Sequence, residues 1–341
     1  MTATHLANLL GRIGNARIGV VGDFCVDGYF MVDSDASKPS LETGLMTRPV
    51  REQRTSLGGA GNVAANLHAI GVKHLKAFAV VGRDPMGAEL LRLLKAIGVD
   101  TGSLSVQGDD WQTNCYLKPI VQGEESNRFD LGVFNSISPE SERALLGSLA
   151  GALPELDVLI INQQFERGLH SPGVKSGINQ LLAGFPGVIG LVDCRDMAES
   201  YPTGAHKLND LEASRLCGTS RAPTDVITRQ EALDSATRLF SRWRHPVFVT
   251  RGIRGCIVVD ESGTHEIPGL RTTGKIDTVG AGDSMVSGIA ACLAVGSTPA
   301  EASSFGNLVA GVTVQKLHQT GTATPDEIRT LHRRATYMEL N

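Results

Sequence analysis

The chain has 341 residues, 41% of them hydrophobic, with 32 basic and 36 acidic side chains and a formal charge of −4. That balance suits a well-cored globular enzyme and argues against a basic nucleic-acid surface, and no stretch approaches the roughly 20 apolar residues of a membrane span. The region Met1 to Gly14 lacks the apolar run of a secretory signal, so a cytoplasmic location is expected. Cys25, Cys115, Cys194, Cys217, Cys256 and Cys292 lie far apart with no CxxC pair, and the nine histidines form no HExxH, so free thiols are expected in place of disulfides or zinc ligands.

Short β-rich runs alternate with helical patterns at Ile18 to Val21, Phe78 to Val81, Val158 to Ile161, Val188 to Val192, Val247 to Thr250 and Ile257 to Val259. This alternation predicts an α/β fold with a mostly parallel sheet covered by helices. Continuous apolar runs such as Val158-Leu159-Ile160-Ile161 fit strands buried on both faces. With no repeat or low-complexity linker, one domain over 1–341 is expected. The polar, mixed segments Tyr29 to Thr55 and Trp111 to Asn135 break the rhythm.

The first strand runs into Gly22-Asp23-Phe24-Cys25-Val26-Asp27, which sets Asp23 and Asp27 beyond a strand's carboxyl end, where open α/β sheets bind ligands. A carboxylate there can accept hydrogen bonds from vicinal hydroxyls, or simply cap a turn. Gly58-Gly59-Ala60-Gly61-Asn62 precedes an amphipathic pattern at Val63, Leu67 and Ile70 that ends near Gly71. The glycines allow close approach of a ligand to the backbone, or a tight turn, and Asn62 offers a donor and an acceptor. Asn209-Asp210-Leu211-Glu212 lies at a loop-to-helix junction, where Asn209 or Asp210 can also be an N-cap. Thr250-Arg251-Gly252-Ile253-Arg254-Gly255 follows a strand and by itself signals only a turn.

The most informative stretch is Asp277-Thr278-Val279-Gly280-Ala281-Gly282-Asp283, followed from Ser284 by a helical pattern at Met285, Val286, Ile289, Ala290 and Leu293. Gly280 and Gly282 free consecutive N–H groups to point at one anion, and a helix N-terminus behind them favours phosphate oxygens. A carboxylate beside a phosphate repels it, so Asp283 needs another task, such as taking a proton from an attacking hydroxyl. The bland alternative is a helix cap. Six fixed positions at about 6% usage each occur by chance on the order of 10⁻⁵ times in a chain of this size, which weighs against coincidence.

The segment Asp277 to Gly288 (DTVGAGDSMVSG) resembles the C-terminal signature of the ribokinase-like PfkB carbohydrate kinases, and Gly58 to Ala64 (GGAGNVA) resembles the GG-x-x-N-x-A motif of their sugar pocket. The resemblance implies a ribokinase-like three-layer fold, a mostly parallel central sheet flanked by helices, with a small β-sheet lid from segments near 29–55 and 111–135. It implies ATP-dependent phosphorylation of a sugar or sugar-phosphate hydroxyl, with Asp283 as general base and Gly280, Ala281 and Gly282 as anion hole. Asp27, Gly58, Gly59 and Asn62, with Asp23 and Arg128, would hold the acceptor. Asn209, Thr250, Gly252, Gly255 and Asn307 would hold the nucleotide, and Glu212 with Asn209 would hold Mg2+ through water. Asp277 and Val279 match a monovalent-cation position, so K+ is an option, as is a homodimer through the lid; no membrane or nucleic-acid partner is implied.

Within the family the chain is most similar to the kinase part of bacterial heptose-phosphate kinases of ADP-heptose synthesis, through Val20 to Asp23, Asp27, Tyr29, GGAGNVAANL, Asn127 to Asp130 and the tail Asn307 to Pro325. A phosphorylated acceptor would need cations, which Arg48, Arg51, Arg54 and Arg128 could supply. Ser34 to Thr47 departs from that subgroup's lid, and Cys25 stands where many ribose kinases carry Asn, so heptose phosphate is one acceptor among several sugars. A nucleoside kinase of the same fold and a non-catalytic sugar-binding regulator are the alternatives. The first would need an apolar slot for a base, and the second would typically lose the base or the cradle.

Overall fold

Alternate residues of the apolar strands enter two different cores, and this is what makes the fold layered. The structure is a computed structural model and describes every residue except 109, 220, 223, 273, 318, 319, 340 and 341. In chain order its first eight strands are β1 (Arg17–Gly22), β2 (Phe24–Val32), β3 (Val50–Gly59), β4 (His74–Gly82), β5 (Leu104–Gln107), β6 (Cys115–Val121), β7 (Glu124–Glu125) and β8 (Phe129–Leu131). The others are β9 (Val158–Gln163), β10 (Ile189–Cys194), β11 (Ala205–Asn209), β12 (Val247–Thr250), β13 (Cys256–Asp260) and β14 (Gly263–Ile267).

Among the described residues the large sheet has nine strands in the order β14-β13-β12-β11-β10-β9-β1-β4-β5. It is parallel from β12 to β5, and β13 and β14 close one end antiparallel. Ile18, Val20, Val158 and Ile160 belong to one core, with helices Ala60–Ala69, Ala281–Ala294 and Pro299–Thr313. Val21, Leu159 and Ile161 belong to the other, with helices Pro139–Ala152, Pro172–Gly184 and Arg229–Trp243. The period-two alternation therefore feeds helices on both faces, as buried parallel sheets require. These helices start from a repeated local signal: Ser138, Ser171 and Thr298 each precede a proline and accept a hydrogen bond from the N–H three residues on.

The second sheet has the order β3-β2-β6-β7, with β8 also on β6. Its strands come from residues 24–32, 50–59 and 115–131, so the polar segments near 29–55 and 111–135 run through it. Helix Pro85–Ala96 braces it where the Thr55 hydroxyl donates to Glu89, whose carboxyl is pushed down to about 2 by hydrogen bonds from Arg92 and Thr55.

Two helices begin earlier than their apolar pattern suggests. The helix expected after Asn62 starts at Ala60, and the helix expected from Ser284 starts at Ala281. In both cases a left-handed glycine, Gly59 at φ +54° and Gly280 at φ +75°, turns the chain into the helix in one step. Strand β11 is missed by pattern reading because His206, Lys207 and Asn209 dilute its apolar content, although most of it is buried.

A Cβ on Gly59 would overlap the carbonyl oxygen of Asp23, between β1 and β2. Gly59→Ala should therefore lower unfolding free energy by about 2 kcal/mol or more, measured by urea denaturation. Gly11→Ala, in helix Ala3–Ile13 with open space around its Cα, should be neutral or raise stability by up to about 1 kcal/mol.

Candidate active site

Because the glycine starts the helix at Ala281, Asp283 sits in the first helical turn. Its Oδ2 accepts a 2.6 Å hydrogen bond from Asn62 Nδ2, on the first turn of the helix that follows the other glycine block. Asn62 is itself held: Asn66 Nδ2 donates to its backbone oxygen at 2.9 Å, and Ser284 Oγ donates to Asn66 Oδ1 at 3.0 Å. Two helix starts more than two hundred residues apart are thus locked face to face. Burial pushes the Asp283 carboxyl up to about 7, Asp193 adds repulsion, and Asn62 and Lys207 act in the opposite direction.

Lys207, on β11, is the cation beneath the turn. Its Nζ lies 2.9 Å from Asp193 Oδ1 at the end of β10, and a Cβ on Gly282 would come within 3.0 Å of that same Nζ. Burial works against its charge, yet Asp193, Glu212 and Asp283 together hold its pKa above the ordinary lysine value. Asp193 is oriented by Asn162 Nδ2 at 3.3 Å. Sequence reading missed Lys207 together with its strand; only once β11 is seen to be buried does a lysine inside it have to be paired or functional.

Asn209 and Glu212 form a reciprocal cap on helix Asp210–Leu216: Glu212 N–H donates to Asn209 Oδ1, and Asn209 N–H donates to Glu212 Oε2, both at 2.8 Å. The capping alternative is thus realised, and the Lys207 charge acts on the Glu212 carboxyl against the upward push of burial. No group of three or more His, Cys, Asp or Glu side chains among the described residues can enclose a metal ion. A metal here would depend on phosphate oxygens and water for most of its ligands.

On one side of the turn opens a largely apolar cleft of about 770 Å³, lined by Thr250, Gly252, Gly255, Ala281, Gly282 and Asn307 among others. Gly255, at φ +90°, has no room for a Cβ beside Ile267. Thr250 Oγ1 donates to Leu208 O at 3.2 Å, and Asn307 Nδ2 donates to Pro268 O at 2.8 Å. Asp277 lies at the mouth of the other cleft, its Oδ1 accepting from Val279 N–H at 3.0 Å.

That second cleft, about 1440 Å³, lies against the small sheet and is lined by Tyr29, Ser56 and Lys118 with Asp277, Val279 and Thr320. Asp27 faces Ser56 across β2 and β3, is 5% exposed, and takes Lys118 Nζ at 3.2 Å on Oδ2. Its Oδ1 and the Ser56 hydroxyl are buried without a partner, so two polar atoms at this wall await hydrogen bonds. Lys118 also sits 5.0 Å from the Tyr29 ring centre. Sequence reading passed over Lys118; a lone lysine between Leu117 and Pro119 in a β-rich run was the available hint.

Several expected site residues have other neighbours. Asp23 Oδ2 accepts from the backbone N–H groups of Gln164 and Phe165 at 2.7 and 2.9 Å, so that oxygen is spent on holding the loop after β9. Gly58 is required by the strand opposite, since a Cβ there would lie 2.7 Å from Cys25 Sγ and 3.0 Å from the Asp27 carboxyl. Arg128 donates twice to Asp130, at 2.6 and 2.9 Å, and lies over the Tyr116 ring. Arg51 pairs with Asp33 and Arg54 with Glu52, while Arg48 is exposed.

The sequence profile described as "pfkB family carbohydrate kinase" matches residues 20–327. A relative named "Bifunctional protein HldE" from Citrifermentans bemidjiense is 30% identical over 335 residues, covering 96% of this chain and 66% of that protein. Its counterpart from Sulfurimonas denitrificans is 27% identical over 311 residues, covering 90% of this chain and 62% of that protein. The chain thus spans less than two thirds of the latter relative's length. Among solved structures, phosphofructokinase-2 from Escherichia coli in complex with potassium superposes with a TM-score of 0.72 at 19% identity, over 94% of this chain and 99% of that one. A ribokinase from Thermotoga maritima superposes with a TM-score of 0.69 at 20% identity, over 93% and 99%. The fold is that of the ribokinase-like sugar kinases, and the profile match over most of the chain shows that it belongs to the pfkB carbohydrate kinase family.

Proposed function

We propose that this chain transfers the γ-phosphoryl group of ATP to a hydroxyl of a sugar or sugar phosphate, with Asp283 as general base. The observation that carries this reading is the Asp283 carboxyl itself, raised to about 7 and set in a first helical turn beside the buried ammonium of Lys207. A group near neutrality can both take and release a proton at working pH. The apolar cleft supports binding of adenine and ribose along Thr250, Gly252, Gly255 and Asn307. The space above Gly282, where a Cβ would come within 3.0 Å of Lys207 Nζ, suits the terminal phosphate.

The acceptor is held from the other side, its hydroxyls bonding Asp27 Oδ1 and Ser56, with Asn62 completing the wall. The reacting hydroxyl gives its proton to Asp283, its oxygen forms the new bond to phosphorus in line, and the bond to the ADP oxygen breaks. The N–H groups of Ala281 to Asp283, the helix dipole and Lys207 hold the charge spreading over the phosphoryl oxygens. Mg2+ bound near Glu212 and Asn209, with water, neutralises phosphate charge when present, and K+ near Asp277 and Val279 belongs to the same proposal. The small sheet serves as a lid within one kinase domain, and its exposed strands suit a homodimer contact.

Four outcomes test this reading. Asp283→Asn should bind ATP within about threefold of the wild type by calorimetry, yet lose at least about a hundredfold in turnover in an ADP-release screen over pentoses, hexoses, their phosphates, heptoses and nucleosides; normal turnover would sink the base. For the wild type, kcat/KM should rise with pH through a limb near 7, because the base must be deprotonated in the free enzyme. Removing the Asn62 hydrogen bond, which favours the charged form, should move that limb to higher pH in Asn62→Ala; an unmoved limb assigns the titration elsewhere. Lys207→Met should lower kcat by about a hundredfold or more, the scale of losing one donor to developing charge, and a change confined to acceptor KM would remove it from the phosphoryl site.

A further inference from the structure

The wall that Leu270 and Thr272 give the apolar cleft is tied down from outside by a segment late in the chain. After helix Pro325–Arg334 the backbone becomes extended at Ala335, and Tyr337 forms an isolated antiparallel bridge with Leu270. Arg271 N–H donates to Thr336 O at 2.9 Å, Met338 N–H donates to Gly269 O at 2.8 Å, and Arg271 Nε donates to Tyr337 O at 3.2 Å. Residues 336–338 are thus a strap laid across residues 269–271, with a sequence separation of 66 between Arg271 and Tyr337.

On its inner side the strapped segment is part of the cleft. Leu270 is 6% exposed and packs over Gly311, where a Cβ would lie 2.5 Å from Leu270 Cδ1; both residues line the cleft. Gly269 is pressed against the turn after β12, since a Cβ there would lie 1.8 Å from Ile253 O, and Asn307 holds the preceding Pro268 O. On its outer side lies a second cavity of about 1190 Å³, bordered by Arg271, Lys316, Arg334 and Thr336. Thr272 borders both cavities, so packing fixes it on neither of those sides. Its place depends on the hydrogen bonds that the strap makes to the residues just before it.

We infer that the strap at 336–338 is a positioning element of the nucleotide cleft: it holds Leu270 and Thr272 where they line the cleft, and a nucleotide bound there tightens the strap in return. The second half follows from the first, because the coupling between two linked equilibria is reciprocal. This rests on the reading of the apolar cleft as the nucleotide site. It adds a route by which occupancy of that cleft reaches the segment beyond helix Pro325–Arg334.

The test pairs two substitutions at one position of the whole chain. Met338→Pro removes the N–H that bonds Gly269 O, whereas Met338→Ala keeps it. By calorimetry the Kd for ATP should rise at least about threefold in Met338→Pro, the scale of one lost hydrogen bond, and stay within about twofold of the wild type in Met338→Ala. Arg271→Ala, which removes the bond to Tyr337 O, should also weaken ATP, by about twofold or more. In the wild type, the β,γ-imido analogue of ATP should slow amide exchange of peptides covering 269–271 and 336–338 by at least about threefold, and leave helix Pro172–Gly184 unchanged. Equal ATP affinity in Met338→Pro and the wild type overturns the inference, as do equal losses in Met338→Pro and Met338→Ala, or exchange at 336–338 that ignores the nucleotide. Should Met338→Pro fail to fold, Arg271→Ala and the exchange measurement on the wild type decide. A wild type that binds neither ATP nor the analogue overturns the nucleotide reading itself, and the inference with it, an outcome separate from ATP binding that the strap does not influence.

Discussion

Everything at the meeting point of the two clefts depends on one buried ammonium. Lys207 stands on a strand flanked on both sides by other strands, where an isolated charge would cost several kcal/mol; Asp193 touches it, and the charges of Glu212 and Asp283 also favour its protonated form. They cannot be understood separately. Asp193 fixes where the ammonium points, Glu212 is held by a helix cap, and Asp283 is kept near neutrality because burial and Asp193 outweigh the help from Lys207 and Asn62. Without Lys207 the remaining carboxylates would face one another with no buried cation between them.

The wall around Asp27 follows a different rule. Asp27 and Lys118 neutralise each other in a nearly dry wall, yet one carboxylate oxygen and the Ser56 hydroxyl remain unpaired. Unsatisfied buried polar atoms cost free energy in the empty protein, so a polyol that satisfies them gains more than its own hydrogen bonds in water would suggest. The paired glycines belong to this wall for a reason of packing: Gly58 and Gly59 leave room for Cys25, the Asp27 carboxyl and the Asp23 backbone, and so bring β2 and β3 close.

Much of this was legible in the sequence, and the reasons are local. The layered α/β class followed from apolar runs with period two, and the tight turn ahead of helix Ala281–Ala294 followed from glycines placed where a left-handed residue enters a helix. Asp283 stood out because a carboxylate beside an anion cradle needs explaining. What escaped was whatever only a long-range neighbour defines. Lys207 and Lys118 lack distinctive flanks, and their importance comes from Asp193 and Asp27, contributed by other strands. Conversely Asp23, conspicuous after the first strand, spends one oxygen on two backbone N–H groups that no local pattern announces.

The helix pairing at the centre also has a kinetic meaning. Asn62 meets Asp283, Asn66 meets Ser284, and the Val63 carbonyl meets Ser287, across sequence separations of 221, 218 and 224 residues. Nearly the whole chain must be synthesised before either helix finds its partner, and loop closure over that span is paid before the contact returns anything. The glycine-started helices are therefore late events in folding. Until they dock, a chain emerging from the ribosome holds Asp283 and the 280–282 turn without the Asn62 and Asn66 contacts that fix them.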